Sequence, residues 1–301
     1  MSQLPVAVHL STPKAEVEID VDLVRGLLRT QHPDLADRSL VLEASGWDNA
    51  TFRLGDDLAV RLPKREVAAA LVETEQRWLP DLAKVLPLAI PTPVRIGQPS
   101  ETYPWRWSVL PWLGGATADQ DLPNKDQGEV LARFFRALHR PAPSDAPRNP
   151  YRGVPLVQRQ AVFGEHQAHL EIQGHPLPEP VLRIWRDALA APNDAAQTWL
   201  HGDTHPRNVL VQDGVITAFI DWGDMAQGDC ASDLASIWML LPDRSARSEA
   251  MRLYAASTAT WARARGWAVI YVALLMTTGI ADDPPMKVIA ERTLARLLEG
   301  P

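Results

Sequence analysis

HGDTHPRNVLVQDGVITAFIDWGD, residues 201–224, decides how this chain is read. Three polar residues, His201, Asp203 and Asn208, stand just ahead of two short alternating apolar runs, NVLVQ and VITAFID. Asp213-Gly214 lies between the runs and is a strong short-range hairpin signal. The spacing therefore predicts a β-hairpin over 209–221. A hairpin returns its two ends to one place. Asp203 and Asn208 at its entry and Asp221 at its exit should then lie together. Two carboxylates and a carboxamide on one spot offer hard oxygen donors, which Mg²⁺ takes alongside water and phosphate oxygens.

Outward from this hairpin the chain divides in two. The segment DVDLVRGLLRTQ (20–31) places Val21, Val24, Leu27 and Leu28 at helical spacing, with Asp20 as its N-cap. SLVLEA (39–44), ATFRLG (50–55) and LAVRLP (58–63) read as strands, with a tight turn at Gly55-Asp56-Asp57. Residues 65–86 read as a helix that Pro80 bends or ends. Strands return near 92–97 and 106–113. Gly114-Gly115 marks a linker. Beyond it the pattern is helical over 126–139, 156–172, 179–191, 231–241, 244–264, 267–280 and 285–298, the hairpin excepted. The expected fold class is α+β: a small antiparallel sheet lobe over 1–111 and a larger, mainly helical lobe over 112–301.

Composition sets limits. The chain has 301 residues, and its 46% hydrophobic content can fill two subdomain cores. A formal net charge of -7 argues against nucleic acid as a partner. Cys230 is the single cysteine, so no internal disulfide can form. That fits a reducing compartment, and no basic, apolar leader is read at the N-terminus, so a cytoplasmic location is expected. The apolar stretch 267–281 is shorter than a membrane span needs, and reads as a core helix. Nothing in the sequence marks a protein partner.

His201-x-Asp203, four residues, Asn208, then Asp221-x-Gly223 follows the order of a phosphoryl-transfer catalytic loop and metal-binding aspartate. HGDTHPRNVLV with IDWGD resembles the aminoglycoside phosphotransferase family, which shares the protein-kinase-like two-lobe fold. Macrolide phosphotransferases and some small-metabolite kinases look similar at this level. The resemblance implies that Asp203 is the catalytic base, that Asn208 and Asp221 hold Mg²⁺, and that His201 orients the loop. Residues 1–111 would bind ATP or GTP, and 112–301 would carry catalysis and the acceptor.

The same resemblance assigns nucleotide contacts. LEASGWDNATFRLG is similar to the family's phosphate-covering hairpin, but Gly46 is its only glycine before the turn, so Ser45, Asp48 and Asn49 must shape it. Arg61 stands where kinases have a lysine. Its expected partner is Glu75, with Glu73 as the alternative, and Lys64 is placed on the other strand face. In WSVLPWL the Leu110 carbonyl and the Trp112 amide are expected to face the base. Asp229 and Asp233 are read as holding the loop and capping the next helix, and His205 as structural. The family's proline is replaced by Cys230.

The resemblance favours an antibiotic acceptor. An aminoglycoside is polycationic, and Asp224, Glu165, Asp282 and Asp283 are the carboxylates that would attract it. Val154, Leu156, Val162 and Phe163 would offer apolar walls to a macrolide. A choline-like amine or a sugar is the metabolite alternative, and a nucleotide-binding scaffold without catalysis is the third reading.

Overall fold

The computed structural model describes residues 14–46 and 48–300. Most of the N-terminal segment read for a leader lies outside the described residues. Asp20 accepts from the Leu23 amide at 2.8 Å and opens helix α1 (Val21–Gln31), which buries Val24, Leu27 and Leu28. Strands β1 (Leu40–Ser45), β2 (Asn49–Leu54) and β3 (Leu58–Pro63) follow as an antiparallel meander. Gly55, at φ 64°, makes the β2–β3 turn. Helix α2 (Glu66–Leu82) ends two residues after Pro80. Strands β4 (Arg95–Gly97) and β5 (Trp107–Pro111) complete a sheet of order β1-β2-β3-β5-β4. Phe52, Leu62, Trp107 and Val109 close its inner face against Val24 and Leu28.

The second core begins earlier than the linker. Leu79 and Leu82 of α2, with Leu86 and Ile90, pack into the large cluster of the helical lobe. The Ala89 backbone also bonds across to the hairpin, accepting from Phe219 N at 3.0 Å and donating to Thr217 O at 3.2 Å. The segment after α2 therefore ties the lobes together before β5 is reached.

The helical lobe opens with a short strand, β6 (Ala116–Thr117), and helices α3 (Gln127–Leu138), α4 (Gln160–Ile172) and α5 (Glu179–Ala190). Strand β7 (Gln197–Leu200) precedes the hairpin of β8 (Val209–Gln212) and β9 (Val215–Phe219). Asp213 and Gly214 both have positive φ, 53° and 77°, as a two-residue turn of this hand requires. Strand β10 (Ala226–Asp229) pairs antiparallel with β7, a two-stranded sheet that the sequence pattern does not anticipate. Its residues are buried on both faces, so they show no alternation. Helices α6 (Ala231–Leu234), α7 (Ser236–Leu240), α8 (Arg244–Tyr254), α9 (Thr258–Ala281) and α10 (Pro284–Leu298) complete the described chain.

Helix boundaries differ from expectation in two places: the segment expected as one helix over 231–241 divides into α6 and α7, and the next helix ends early. The chain breaks after Tyr254, with Ala255 left-handed at φ 59° and Ser257 capping α9, and there is no break at 265–266. Gly266 is a packing glycine. A Cβ there would stand 2.3 Å from Ala188 Cβ and 2.6 Å from Leu156 Cδ2. At 24 residues α9 is also long and apolar enough to cross a membrane, and 67% of its most apolar window is buried inside the fold.

Gly266→Ala sets two effects against each other. Alanine favours helix by about 1 kcal/mol, but the clash with α5 costs about 2 kcal/mol or more. Net destabilisation is expected in urea unfolding, and a more stable variant would show that α5 and α9 do not approach this closely.

Candidate active site

The loop after β7 is built on one buried carboxylate. Asp233, wholly buried in α6, accepts from His201 N at 2.7 Å and Gly202 N at 2.9 Å. His139 Nε2 lies 3.3 Å from the same carboxylate. Gly202 turns at φ 87°, and a Cβ there would meet the Asp224 carbonyl oxygen at 2.3 Å. His201 Nε2 is 3.0 Å from the Ile220 carbonyl, so it carries the proton. Its Nδ1 then accepts from Asp203 N at 3.2 Å. Burial lowers the His201 pKa, which keeps this tautomer neutral. Trp222, fully buried, packs on the imidazole with ring centroids 4.6 Å apart.

The loop and the hairpin bring the three oxygen donors together. Asn208 Nδ2 donates to the Asp203 carbonyl at 2.9 Å and to Asp203 Oδ2 at 3.1 Å. The Ile220 amide donates to the Asn208 carbonyl at 2.9 Å, which seats Asp221 beside the loop. Asp221 itself is left-handed, at φ 58°. Burial pushes the Asp203 carboxyl up, but His205 and Arg152 beside it prevail and hold it well below the usual carboxylate range. His205 Nε2 sits 3.4 Å from Asp203 Oδ2. The imidazole thus touches the carboxylate directly, a contact that its purely structural reading misses.

From the sheet lobe, Arg61 reaches both sides of the cleft. Its Nη1 donates to the two oxygens of Glu75 at 2.9 and 3.1 Å, and Nη2 donates to Asp221 Oδ1 at 2.6 Å. With the Asn49 amide turned to satisfy both groups, Asn49 Oδ1 accepts from Arg61 Nε at 3.2 Å and Nη2 at 2.9 Å. Burial raises the Glu75 pKa against the opposing pull of Arg61. Glu73 lies outside this network, 3.8 Å from Arg106. Lys64 is buried, and its Nζ lies 3.3 Å from Ser45 Oγ, under the β1–β2 connection. The Gly46 amide donates to the Asn49 carbonyl at 3.0 Å, which closes that turn.

The hinge requires a correction. The Trp112 amide donates to the Asp57 carbonyl at 2.8 Å, so it does not face a nucleotide base. Leu110 pairs with Ala59 in the same ladder, and backbone groups two residues apart point to the same edge. The outward edge past β4 therefore belongs to the Pro111 carbonyl and the Leu113 amide. The sequence reading is one residue out of register.

The side of the cleft around Asp224 also differs from expectation. Arg152 enters it from the loop before α4, with Nε 3.0 Å from Asp224 Oδ2 and Nη2 3.2 Å from Asp203 Oδ1. Asn149 Nδ2 donates to Asp224 Oδ1 at 2.9 Å. Asp224 is in the cleft but already paired. Glu165 is exposed on α4. Asp283 pairs with Arg207 at 2.6 Å. Leu156 and Phe163 are core residues, Phe163 stacking on Trp185 at 4.2 Å. Nothing in the spacing of Asn149 and Arg152 marks them, because a loop residue is placed by its turn and not by a period.

The donor set suits Mg²⁺. Both protons of the Asn208 amide are given to Asp203, so its Oδ1 keeps its lone pairs. Asp221 has one oxygen on Arg61, and its side chain is 54% exposed, which leaves the other oxygen open to the cleft. Among the described residues no three His, Cys, Asp or Glu side chains cluster as a metal cage. Two protein oxygens with water and phosphates completing the shell is the usual Mg²⁺ arrangement.

Comparison with known proteins agrees with the fold. An aminoglycoside 2'-phosphotransferase-IIIa solved as its GDP complex superposes with TM-score 0.65 at 18% identity, covering 92% of this chain and 98% of that one. The macrolide 2'-phosphotransferase MphH from Brachybacterium faecium gives TM-score 0.61 at 21% identity, covering 94% and 98%. Among curated proteins, stress response kinase A of Salmonella typhi is 29% identical over 152 residues, 46% of this chain and 41% of the relative. The match thus spans under half the length of that relative. The family model described as "Phosphotransferase enzyme family" matches residues 41–267. This chain, with its protein-kinase-like two-lobe fold, belongs to the phosphotransferase enzyme family.

Proposed function

We propose that the chain transfers the γ-phosphoryl group of ATP or GTP to a hydroxyl of a small molecule, with Asp203 as the base. The observation that carries this reading is the Asp203–Asn208 contact at 3.1 Å, facing the Arg61–Asp221 pair across the cleft. The acceptor hydroxyl would hydrogen-bond to the Asp203 carboxylate. Its oxygen bonds to the γ-phosphorus as the bond to the β,γ-bridging oxygen breaks. The nucleoside diphosphate leaves with that electron pair, and the hydroxyl proton passes to Asp203. Mg²⁺, held by Asn208 and Asp221, would neutralise charge on the phosphates.

The sheet lobe supplies the nucleotide side. Arg61 has its N–H groups engaged by Glu75, Asp221 and Asn49, so it acts first as the tie between α2, the sheet and the hairpin. Lys64, buried under the β1–β2 connection beside Ser45, is the less committed cation and the better phosphate contact. The base would lie against Pro111 and Leu113. Likeness to aminoglycoside and macrolide phosphotransferases supports an antibiotic hydroxyl as the first acceptor to assay. The lone cysteine is buried and its thiol is pushed up to about 11, which suits an inert thiol in a cytoplasmic setting.

The test is phosphoryl transfer with Mg²⁺ and ATP or GTP, across aminoglycosides, macrolides and small alcohols, with products read by mass. Asp203→Ala is expected to lower kcat by about 10³-fold, the scale of a lost general base, while nucleotide still binds. Retention of full transfer by that variant would remove Asp203 from the chemistry. A second variant probes the scaffold. Asp233→Ala strips the acceptor from two buried backbone N–H groups and is expected to cost about 3 kcal/mol in urea unfolding. A stability loss below about 0.5 kcal/mol would mean that the loop is held some other way.

A further inference from the structure

Near Arg152 the fold buries a second cation that no carboxylate pairs with among the described residues. Arg152 itself is placed by its turn: Asn149 Oδ1 accepts from the Tyr151 and Arg152 amides at 2.8 and 3.2 Å. The Arg152 guanidinium lies 5.4 Å from the Tyr271 ring centroid, and Tyr271 Oη is 3.3 Å from the Gly202 carbonyl of the catalytic loop. Seven positions on, Arg159 ends the 3₁₀ turn that leads into α4. It is only 6% exposed, and its guanidinium lies 5.4 Å from the ring centroid of Tyr151, the neighbour of Arg152.

Among the described residues Arg159 has the Tyr151 ring but no hydrogen bond and no ion pair, and its Nε is buried without a hydrogen-bond partner. The other buried arginines among the described residues are all answered. Arg61 has Glu75 and Asp221, Arg247 has Glu299, and Arg263 has Asp229 and Asp194. Arg296 donates to the carbonyls of Trp238 and Met239 at 3.1 and 2.6 Å. A buried guanidinium without an anion is costly, and proteins seldom keep one unless a ligand answers it. The nearby carboxylates do not, because Asp203 and Asp224 are both engaged by Arg152. Burial and the neighbouring Arg152 charge both press on Arg159, lowering its pKa.

We infer that the acceptor bears an anionic oxygen group, a carboxylate or a phosphate ester, which Arg159 binds with Arg152 alongside while the acceptor hydroxyl meets Asp203. The inference rests on the phosphotransfer reading and sharpens it. A guanidinium fork matches either oxyanion through paired N–H donors. It repels a polycation, so the aminoglycoside expectation built on Asp224 and Glu165 loses its electrostatic basis. The transfer step is unchanged: the hydroxyl oxygen takes the γ-phosphorus, the nucleoside diphosphate leaves, and Asp203 takes the proton.

Four polyhydroxy probes that differ in charge test this: gluconate, glucose 6-phosphate, glucose and glucosamine. Binding is measured first, by calorimetry without nucleotide at constant ionic strength. Wild type is expected to bind gluconate or glucose 6-phosphate at least about tenfold tighter than glucose, with glucosamine weakest, the scale of one charge-assisted contact. The preferred anion separates a carboxylate site from a phosphate site. Arg159→Gln should erase the preference, and Arg159→Lys should keep part of it. Equal binding of all four probes, a preference for glucosamine, or a preference that survives Arg159→Gln would each overturn the inference. Transfer from Mg-ATP to the same probes is then read by mass. Anion binding without any transfer would count against the phosphotransfer reading alone, and transfer to glucosamine in preference to the two anions would count against the anion site alone.

Discussion

The site depends on Asp233. Its carboxylate is wholly buried, and it takes the backbone N–H groups of His201 and Gly202 while lying against His139. Buried peptide N–H groups must be answered, and a charged acceptor answers two at once more strongly than a neutral one. With those residues fixed, the Asp203 amide finds His201 Nδ1 and the imidazole finds the Ile220 carbonyl. Ile220 in turn bonds back to Asn208. A chain of ordinary hydrogen bonds thus runs from a helix to the entry and the exit of the hairpin. The three oxygen donors are positioned before any ligand arrives, and this preorganisation is what catalysis on charged groups needs.

Arg61 couples that loop to the sheet lobe. One guanidinium joins Glu75 on α2 to Asp221 on the hairpin exit, and Asn49 on β2 joins the same group. A lysine has one nitrogen and could not hold three partners on a planar fork. The substitution therefore changes the job as well as the residue. The arginine braces the two lobes, and it takes one oxygen of Asp221 while the exposed side chain keeps the other open. Lys64 is left as a cation beside the β1–β2 connection, donating to the Ser45 hydroxyl.

Sequence reading reached the parts that obey a period or a motif. The hairpin was legible because Asp213-Gly214 dictates its turn, and Asp203, Asn208 and Asp221 were legible because the hairpin joins its ends. α1 was legible because its cap and its apolar face agree. The hinge failed for a geometric reason. Strand alternation was read correctly, but its phase depends on which partner Trp112 has, and Asp57 takes it. β7 and β10 were missed because strands buried on both faces carry no alternation. The break expected between 264 and 267 is absent, because Gly266 there serves close packing against α5.

Acceptor chemistry was the least legible part, and the reason is general. Phosphate and metal are invariant ligands, so the residues that meet them recur at fixed spacing. An acceptor is met by loops whose side chains are aimed by local turns, and the aim does not survive as a pattern. Counting carboxylates near the motif therefore leaves out which of them are already paired. Asp224 is present, but Arg152 lies across it, and among the described residues Arg159 has no carboxylate partner. The local field depends on which charges are already paired, a quantity that no composition or net charge carries. A chain with a formal charge of -7 can still bury a cation beside a cleft that holds carboxylates.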